Sequence, residues 1–249
     1  MILLHACQLA GYYATLMLFA AGGIGFTLYC LLAGLLPGLA RNERHFQRVI
    51  HWLFAFVVGW ARSIRLLRVD YEGMDQIPSG GCVLVANHPG LMDIVYLLAR
   101  FPEAVSVFKP AIRNNPILGA GARRAGYIGS DSGPDLVRDA GEKAAAGGAL
   151  IIFPEGTRTP PGIAIGPLRP GFVLIARRAG VPIQLVCIAW NTNVLVKGRA
   201  WWKLPRLPGQ VNVKVGPLVT VTEGESTGDV STRIETWFRE AIAAHTPSR

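Results

Sequence analysis

A histidine and an aspartate five residues apart could form a proton-transfer pair. His88 and Asp93 lie in the run Asn-His-Pro-Gly-Leu-Met-Asp, which directly follows the apolar run Cys82–Ala86. The Asp can bond one imidazole nitrogen, which fixes the tautomer of the ring and stabilises its protonated form. The other nitrogen can then take a proton from a substrate hydroxyl, which acts as the nucleophile. The structural alternative is that Asp93 caps a helix and His88 is a turn residue.

A second group with possible chemistry is the hexamer Phe-Pro-Glu-Gly-Thr-Arg at residues 153–158. Gly156 lets the backbone approach a ligand closely, so that free amides of this loop can hold an anion or an oxyanion. Arg158 can clamp a phosphate, and Glu155 can pair with Arg158 and hold its guanidinium in place. Glu155, Gly156, Thr157 and Arg158 are therefore predicted to form a phosphate site. The structural alternative is a turn that carries a surface ion pair.

Alternating strand and helix patterns position both groups. Strands are predicted at residues 66–71, 82–86, 105–108, 127–129, 149–153 and 182–189, with one or two more in 211–221. Helices are predicted at residues 90–100, 115–126, 135–146, 171–179 and 229–245. This alternation predicts an α/β fold with a mixed sheet flanked by helices, in which chemistry gathers in loops beyond strand ends.

The N-terminal 40 residues contain no Asp, Glu, Lys or Arg, and the first charge is Arg41. The apolar run Leu9–Leu36 is long enough to cross a bilayer, whose hydrocarbon core is ~30 Å thick. The glycines in the middle of this run weaken a single straight helix. One tilted span and a kinked, half-inserted hairpin are both open, and Pro37 ends the segment in either case.

A second apolar run, Val49–Ala61, is too short to span a bilayer and is predicted to lie in the interface, anchored by Trp52 and Trp60. The alternative is a buried core helix. Six arginines flank the two runs on their C-terminal side, and no charge precedes the first run: Arg41, Arg44, Arg48, Arg62, Arg65 and Arg68. The positive-inside rule then places the following domain in the cytoplasm. We therefore predict a membrane anchor with an interfacial helix at residues 1–62 and an α/β domain at 63–249.

The net charge of +9 indicates an anionic partner, such as a lipid headgroup, an acidic protein or a nucleic acid. Nucleic acid fits poorly because the arginines cluster beside apolar helices. The sequence has no HExxH motif, Cys/His ligand spacing or Walker A motif, so no metal or nucleotide cofactor is expected. A GxSxG nucleophile elbow is absent as well, which argues against a serine hydrolase.

Several blocks in order make the chain resemble the glycerolipid acyltransferases, the lysophosphatidic acid acyltransferase family. His88 and Asp93 in their setting resemble the first block of this HxxxxD family, and residues 153–158 resemble the third. Lys109, followed by Pro116 and Gly119, is similar to the start of the second block, and residues 181–183 resemble the fourth. The resemblance covers residues 65–195.

The resemblance implies transfer of a fatty acyl group from a thioester, carried by acyl carrier protein or coenzyme A, to a lysophospholipid hydroxyl. It also implies that His88 is the base, that Asp93 orients it, and that Lys109 and Arg158 hold the acceptor phosphate. A membrane-embedded N-terminal helical pair is typical of its bacterial members, which implies a bacterial-type inner membrane. No cofactor is implied.

One block departs from the family pattern. The second block lacks its usual terminal arginine, and Asp131 and Ser132 stand in that part of the chain. Arg123 or Arg124 could replace that cation. The first expected acceptor is 1-acyl-glycerol-3-phosphate, which would give phosphatidic acid. The alternatives are an ornithine-type or other lyso-lipid acceptor and a non-catalytic lipid-binding protein of the membrane.

Overall fold

The computed structural model describes residues 2–133, 135–192 and 194–245, and the chain divides into two compact units. The first unit comprises Met1–Leu66 and Val95–Leu136, and the second comprises Leu67–Ile94 and Val137–Arg249. The predicted boundary between residues 62 and 63 stays a prediction.

The described helices and strands follow the predicted alternation. The helices are α1 (Ile2–Ala33), α2 (Pro37–Ala40), α3 (Glu43–Ser63), α4 (Asp93–Leu98), α5 (Pro110–Arg113), α6 (Gly119–Arg124), α7 (Asp135–Ala145), α8 (Gly171–Ala179) and α9 (Thr227–His245). The strands are β1 (Leu67–Glu72), β2 (Cys82–Ala86), β3 (Val105–Phe108), β4 (Ile128–Gly129), β5 (Ala149–Ile152), β6 (Ile183–Trp190) and β7 (Gly209–Val219).

In the first unit, α1 and α3 pack as an antiparallel pair. The indole N–H of Trp60 donates to Oγ1 of Thr15 at 3.2 Å, and at the other end the rings of Tyr29 and Phe46 lie 6.0 Å apart. Of the two arrangements left open for residues 9–36, the structure has one unbroken helix. Residues 6–33 of this helix are long and apolar enough to cross a membrane.

Glycines let α1 approach the second-block segment closely. A Cβ on Gly23 would collide with the side chain of Ile117, and a Cβ on Gly121 would collide with the ring of Phe26. The hydroxyl of Thr27 donates to the carbonyl of Ile117 at 2.9 Å. Among the glycines in the middle of α1, Gly23 therefore serves the packing of the helix within this unit, whereas a Cβ on Gly22 or Gly25 would meet nothing within 4 Å.

The helix α3 combines the two interpretations of the second apolar run. Its inner face buries Phe46 and Val58, whereas Trp52 is 69% exposed and Phe56 is 59% exposed. One face is thus core, and the opposite face presents aromatic side chains to its surroundings.

The second unit is built on a mixed sheet with the strand order β1-β7-β6-β2-β5. The strand β7 pairs antiparallel with β6, and the other three pairings are parallel. Every residue of β2 and β6 is buried, as expected of central strands in a parallel sheet. The helix α8 packs against β2 and α9 against β6. The predicted fold class, an α/β mixed sheet flanked by helices, is confirmed.

Two predicted helices differ from the structure. The predicted helix over 115–126 is shortened to α6, and a turn precedes it in which the side chain of Asn115 accepts from the amides of Ile117 and Leu118. The helix expected from Gly90 begins only at Asp93. The late strand segment, predicted as one or two strands, is one strand, β7, which pairs with both β1 and β6.

Candidate active site

The two groups of polar residues meet at one edge of the sheet in the second unit. His88 follows the end of β2, and the hexamer at 153–158 follows the end of β5. Because β2 and β5 are parallel neighbours, both loops leave the sheet at the same edge, where α/β proteins place their ligands.

His88 and Asp93 form a hydrogen-bonded pair. Nδ1 of His88 lies 2.8 Å from Oδ2 of Asp93, and the Asp93 side chain is fully buried. The amide of Gly90 donates to the same Oδ2 at 2.7 Å. Since an ionised carboxylate only accepts, Nδ1 carries the proton and Nε2 presents a lone pair. Burial raises the pKa of the Asp93 carboxyl, and the hydrogen bond to His88 opposes that rise.

Packing holds the imidazole in one orientation. The ring of His88 stacks on Phe153, with the ring centroids 4.1 Å apart and the planes 19° from parallel. The His88 side chain is 16% exposed. Within the part of the chain that the structure describes, Nε2 of His88 has no hydrogen-bond partner. The pair can therefore accept a proton at Nε2 without rearranging.

Glu155 has a different place from the predicted one. Its side chain is buried, and its Oε1 accepts from the amide of His88 at 2.9 Å, while its Oε2 accepts from the amide of Gly166 at 2.8 Å. The hydroxyl of Thr159 lies 2.9 Å from both oxygens. The predicted pairing with Arg158 is thus not the arrangement found, because the carboxylate points inward. Glu155 therefore joins the loop after β2 to the loop after β5 and holds the backbone of His88.

The hexamer loop presents Arg158 and two amides. Gly156 has φ +63°, which favours glycine, but its own N–H donates to the carbonyl of Phe153 at 3.0 Å and is used within the turn. The Gly156 amide is therefore not available to a ligand, and the expectation that free amides of this loop hold an oxyanion stays a prediction. The amides of Thr157 and Arg158 make no hydrogen bond to a described residue, so they are the donors this loop can offer.

Arg158 is half-buried, and its Nη1 donates to the carbonyl of Leu195 at 2.9 Å. This bond fixes one side of the guanidinium and leaves its other N–H groups for a ligand. The predicted phosphate contacts of Thr157 and Arg158 stay predictions. Lys109 belongs to the first unit, where it is exposed and precedes α5, and its predicted phosphate contact is likewise untested.

The structure also locates the possible replacements for the missing second-block arginine. The guanidinium of Arg124 donates to the carbonyl of Ala40 at 3.0 Å, where it joins α2 to α6. Arg123 and Arg124 line a cavity of the first unit together with Arg41. These contacts give Arg124 a packing role in the first unit, and its predicted role at the acceptor stays untested.

Three further residues shape the site and were not singled out from the sequence. Asn87 extends the β2–β6 pairing, because its side chain donates to the carbonyl of Ile188 at 2.8 Å and accepts from the Ile188 amide at 2.7 Å. The ring of Trp190 lies against Gly90, where a Cβ would collide with it. The guanidinium of Arg169 lies 3.1 Å from the position of a Cβ on Gly156. The position of Asn87 beside His88 is the one sequence signal that could have found any of them.

Comparison with known proteins agrees with this geometry. The family model Acyltransferase matches residues 68–189, which include His88, Asp93 and the hexamer. A 1-acyl-sn-glycerol-3-phosphate acyltransferase of Pseudomonas aeruginosa is 28% identical over 241 residues, 93% of this chain and 90% of the relative. A lyso-ornithine lipid O-acyltransferase of the same organism is 29% identical over 196 residues, 77% of this chain and 70% of the relative.

Among solved structures, the 1-acyl-sn-glycerophosphate acyltransferase of Thermotoga maritima has the same fold, with a TM-score of 0.72 at 22% identity over 97% of both chains. The matched domain and the His–Asp site make this protein an acyltransferase. The chain belongs to the lysophosphatidic acid acyltransferase family.

Proposed function

We propose that this protein transfers a fatty acyl group from an acyl thioester to the free hydroxyl of a lysophospholipid, with 1-acyl-glycerol-3-phosphate as the first candidate acceptor. The observation that carries the proposal is the His88–Asp93 pair, whose Nε2 is open at the same sheet edge as Arg158. A base next to a phosphate-binding cation suits an acceptor with both a hydroxyl and a phosphate.

In the proposed reaction, Nε2 of His88 takes the proton of the acceptor hydroxyl while the hydroxyl oxygen attacks the thioester carbonyl. The carbon–sulfur bond then breaks, and the thiolate leaves and recovers the proton from the imidazolium. The products are an ester and a free thiol, and the histidine is regenerated. Asp93 stabilises the imidazolium between the two steps. The amides of Thr157 and Arg158 are the proposed donors to the developing oxyanion.

We assign the acceptor phosphate to Arg158, and the family resemblance adds Lys109 as a second candidate. A guanidinium bonds two phosphate oxygens at once, which fixes the glycerol hydroxyl relative to the base. The buried carboxylate of Glu155 would repel a phosphate, which supports a structural role for this residue.

Membrane association forms part of the proposal, because both the acceptor and the product are lipids. It is supported by the apolar helix α1 and by the exposed aromatic side chains of α3. The arginines that follow each apolar run support an orientation with the catalytic unit on the cytoplasmic side. The donor is proposed to be acyl carrier protein or coenzyme A thioester, whose negative charge suits the net charge of +9.

A second candidate acceptor is a lyso-ornithine lipid. It is favoured by the second block, where Asp131 and Ser132 stand in the place of the expected arginine, and a lyso-ornithine lipid O-acyltransferase is among the relatives. Such an acceptor presents an amino group and a carboxylate instead of a phosphate, so an acid at this place could pair with its amino group.

The deciding experiment presents both acceptors to the full chain in vesicles. We would supply a labelled acyl thioester with lysophosphatidic acid or lyso-ornithine lipid and identify the product by mass spectrometry. His88→Ala should abolish transfer, and His51→Gln, which changes a histidine bonded to the carbonyl of Leu98 in the first unit, should not. Transfer by His88→Ala at the wild-type rate would refute the mechanism, and lipid binding without transfer by the wild type would favour a carrier.

A further inference from the structure

All of the net positive charge of the chain comes from one stretch of the sequence. Residues 156–222 contain nine Lys or Arg residues and no Asp or Glu. The other residues carry 16 basic and 16 acidic side chains, so they are neutral in sum. This stretch, which belongs to the second unit, is therefore a strongly basic segment that attracts an anionic partner.

Within this stretch, residues 194–208 form a long connection between β6 and β7, which we call the tryptophan loop. Its base is closed, because the hydroxyl of Thr192 donates to the carbonyl of Arg206 at 2.8 Å. Asn191 and Gln210 bond to each other directly below. A loop whose ends are held together in this way is a compact projection of the surface.

The projecting part of the tryptophan loop is aromatic and basic. Trp201 is 58% exposed and Trp202 is 56% exposed, and their rings meet edge to face with centroids 5.6 Å apart. The side chains of Lys197, Lys203 and Arg206 are exposed around them. Two adjacent tryptophans at this exposure are costly on a surface that meets only water.

The tryptophan loop leaves the sheet at the catalytic edge. It follows the carboxyl end of β6, which is parallel to β2 and therefore ends at the same edge as the strand that carries His88. It also contacts the site directly, because Arg158 donates to the carbonyl of Leu195. A surface that binds the tryptophan loop therefore also faces the edge of the sheet that carries His88.

We propose that the tryptophan loop docks the catalytic unit on an anionic bilayer, with Trp201 and Trp202 at the boundary between headgroups and acyl chains. Indoles prefer this depth because the ring is apolar and its N–H needs a polar partner. Each exposed cation adds about fivefold to the affinity for an anionic surface. The inference deepens the proposed function, since a bilayer-borne acceptor requires this edge to face the bilayer.

The test uses the full chain reconstituted in nanodiscs of anionic lipid brominated near the ester end of the acyl chains. Subtracting the emission of Trp201→Phe/Trp202→Phe from that of the wild type isolates the fluorescence of the pair. Bromolipid should quench this difference emission relative to the same lipid without bromine. Trp237→Phe is the matched control, because this half-buried ring of the same unit packs on Gly216, and its difference emission should not be quenched.

A charge arm tests the role of the cations. Lys197→Glu/Lys203→Glu, as well as a zwitterionic bromolipid, should each reduce quenching of the pair. Unquenched difference emission in anionic bromolipid would overturn the proposal. The proposal would also be overturned if the emission of the pair stayed unquenched in anionic bromolipid but shifted when an acidic acyl carrier protein was added, because the loop would then bind protein.

The result is independent of catalysis. No substrate is present, and His88→Ala should show the same quenching as the wild type. If the proposed acyl transfer failed, the quenching of the pair would therefore be unchanged. If docking failed, acyl transfer could still be measured with the acceptor presented in detergent.

Discussion

Glu155 distinguishes a structural role from a phosphate-binding role at this site. Its Oε1 accepts from the amide of His88 in a part-buried bond, and its Oε2 accepts from the amide of Gly166 in a buried one. Glu155→Gln keeps the shape of the side chain but offers one acceptor oxygen instead of two. One of these two amides must then face an NH₂ group, which is itself a donor.

The cost follows from these contacts. A buried donor without a partner costs about 1–3 kcal/mol, and the remaining bond loses its charge assistance, so Glu155→Gln should lower the free energy of unfolding by roughly 2–4 kcal/mol. This corresponds to a fall in melting temperature of about 5–15 °C for a chain of this size. The displaced His88 should lower kcat about 10–100-fold, with little change in the KM of the acceptor.

The assay combines thermal unfolding in detergent with steady-state kinetics at varied acceptor concentration. Glu142→Gln is the matched control, because Glu142 is exposed on α7, and its effect should stay within about 0.5 kcal/mol. A Glu155→Gln variant with wild-type melting temperature and kcat but a changed acceptor KM would refute the structural role and support a phosphate site.

The remaining predictions concern the pair, its loop and the arginine. Asp93→Asn should lower kcat by about 10³–10⁴-fold because the histidine loses its tautomer. Burial raises the pKa of the Asp93 carboxyl in the folded state, so this group stabilises the fold at low pH, where it is protonated. The free energy of unfolding of the wild type, compared with that of Asp93→Asn, should therefore fall as pH rises through the folded-state pKa. Denaturation at a series of pH values measures this difference. Gly90→Ala should push the loop against the ring of Trp190 and lower kcat. Adding Trp190→Leu to the Gly90→Ala variant should restore part of the lost kcat. If the two substitutions instead had additive effects in the double-mutant cycle, the contact would be contradicted. Arg158→Ala should raise the acceptor KM about 10–100-fold and the donor KM less, and equal rises would exclude the phosphate role.

Local patterns in the sequence were sufficient for most elements of the second unit. The strand Cys82–Ala86 and the helix Gly171–Ala179 have the predicted bounds, because apolar runs and flanking glycines act within a few residues. The helix predicted over 115–126 is shorter in the structure, since residues 116–118 form a turn whose amides of Ile117 and Leu118 bond to the side chain of Asn115.

The sequence by itself determined the hydrogen-bonded pair of His88 and Asp93. His88 and Asp93 are five residues apart on one loop, so their distance depends on one short piece of backbone. The family blocks around them identify the chemistry for the same reason, since each is a continuous segment. The apolar character of residues 9–36 also needed no structure, because composition alone decides it.

Only the tertiary structure decided how that pair is held. The carboxylate of Glu155 could serve Arg158 three residues away or His88 on another loop, and sequence spacing favoured the wrong partner. The parallel pairing of β2 with β5 brings His88 and Glu155 together although 67 residues separate them. Buried amides must be satisfied by whatever acceptor the fold delivers, and that requirement turned Glu155 inward.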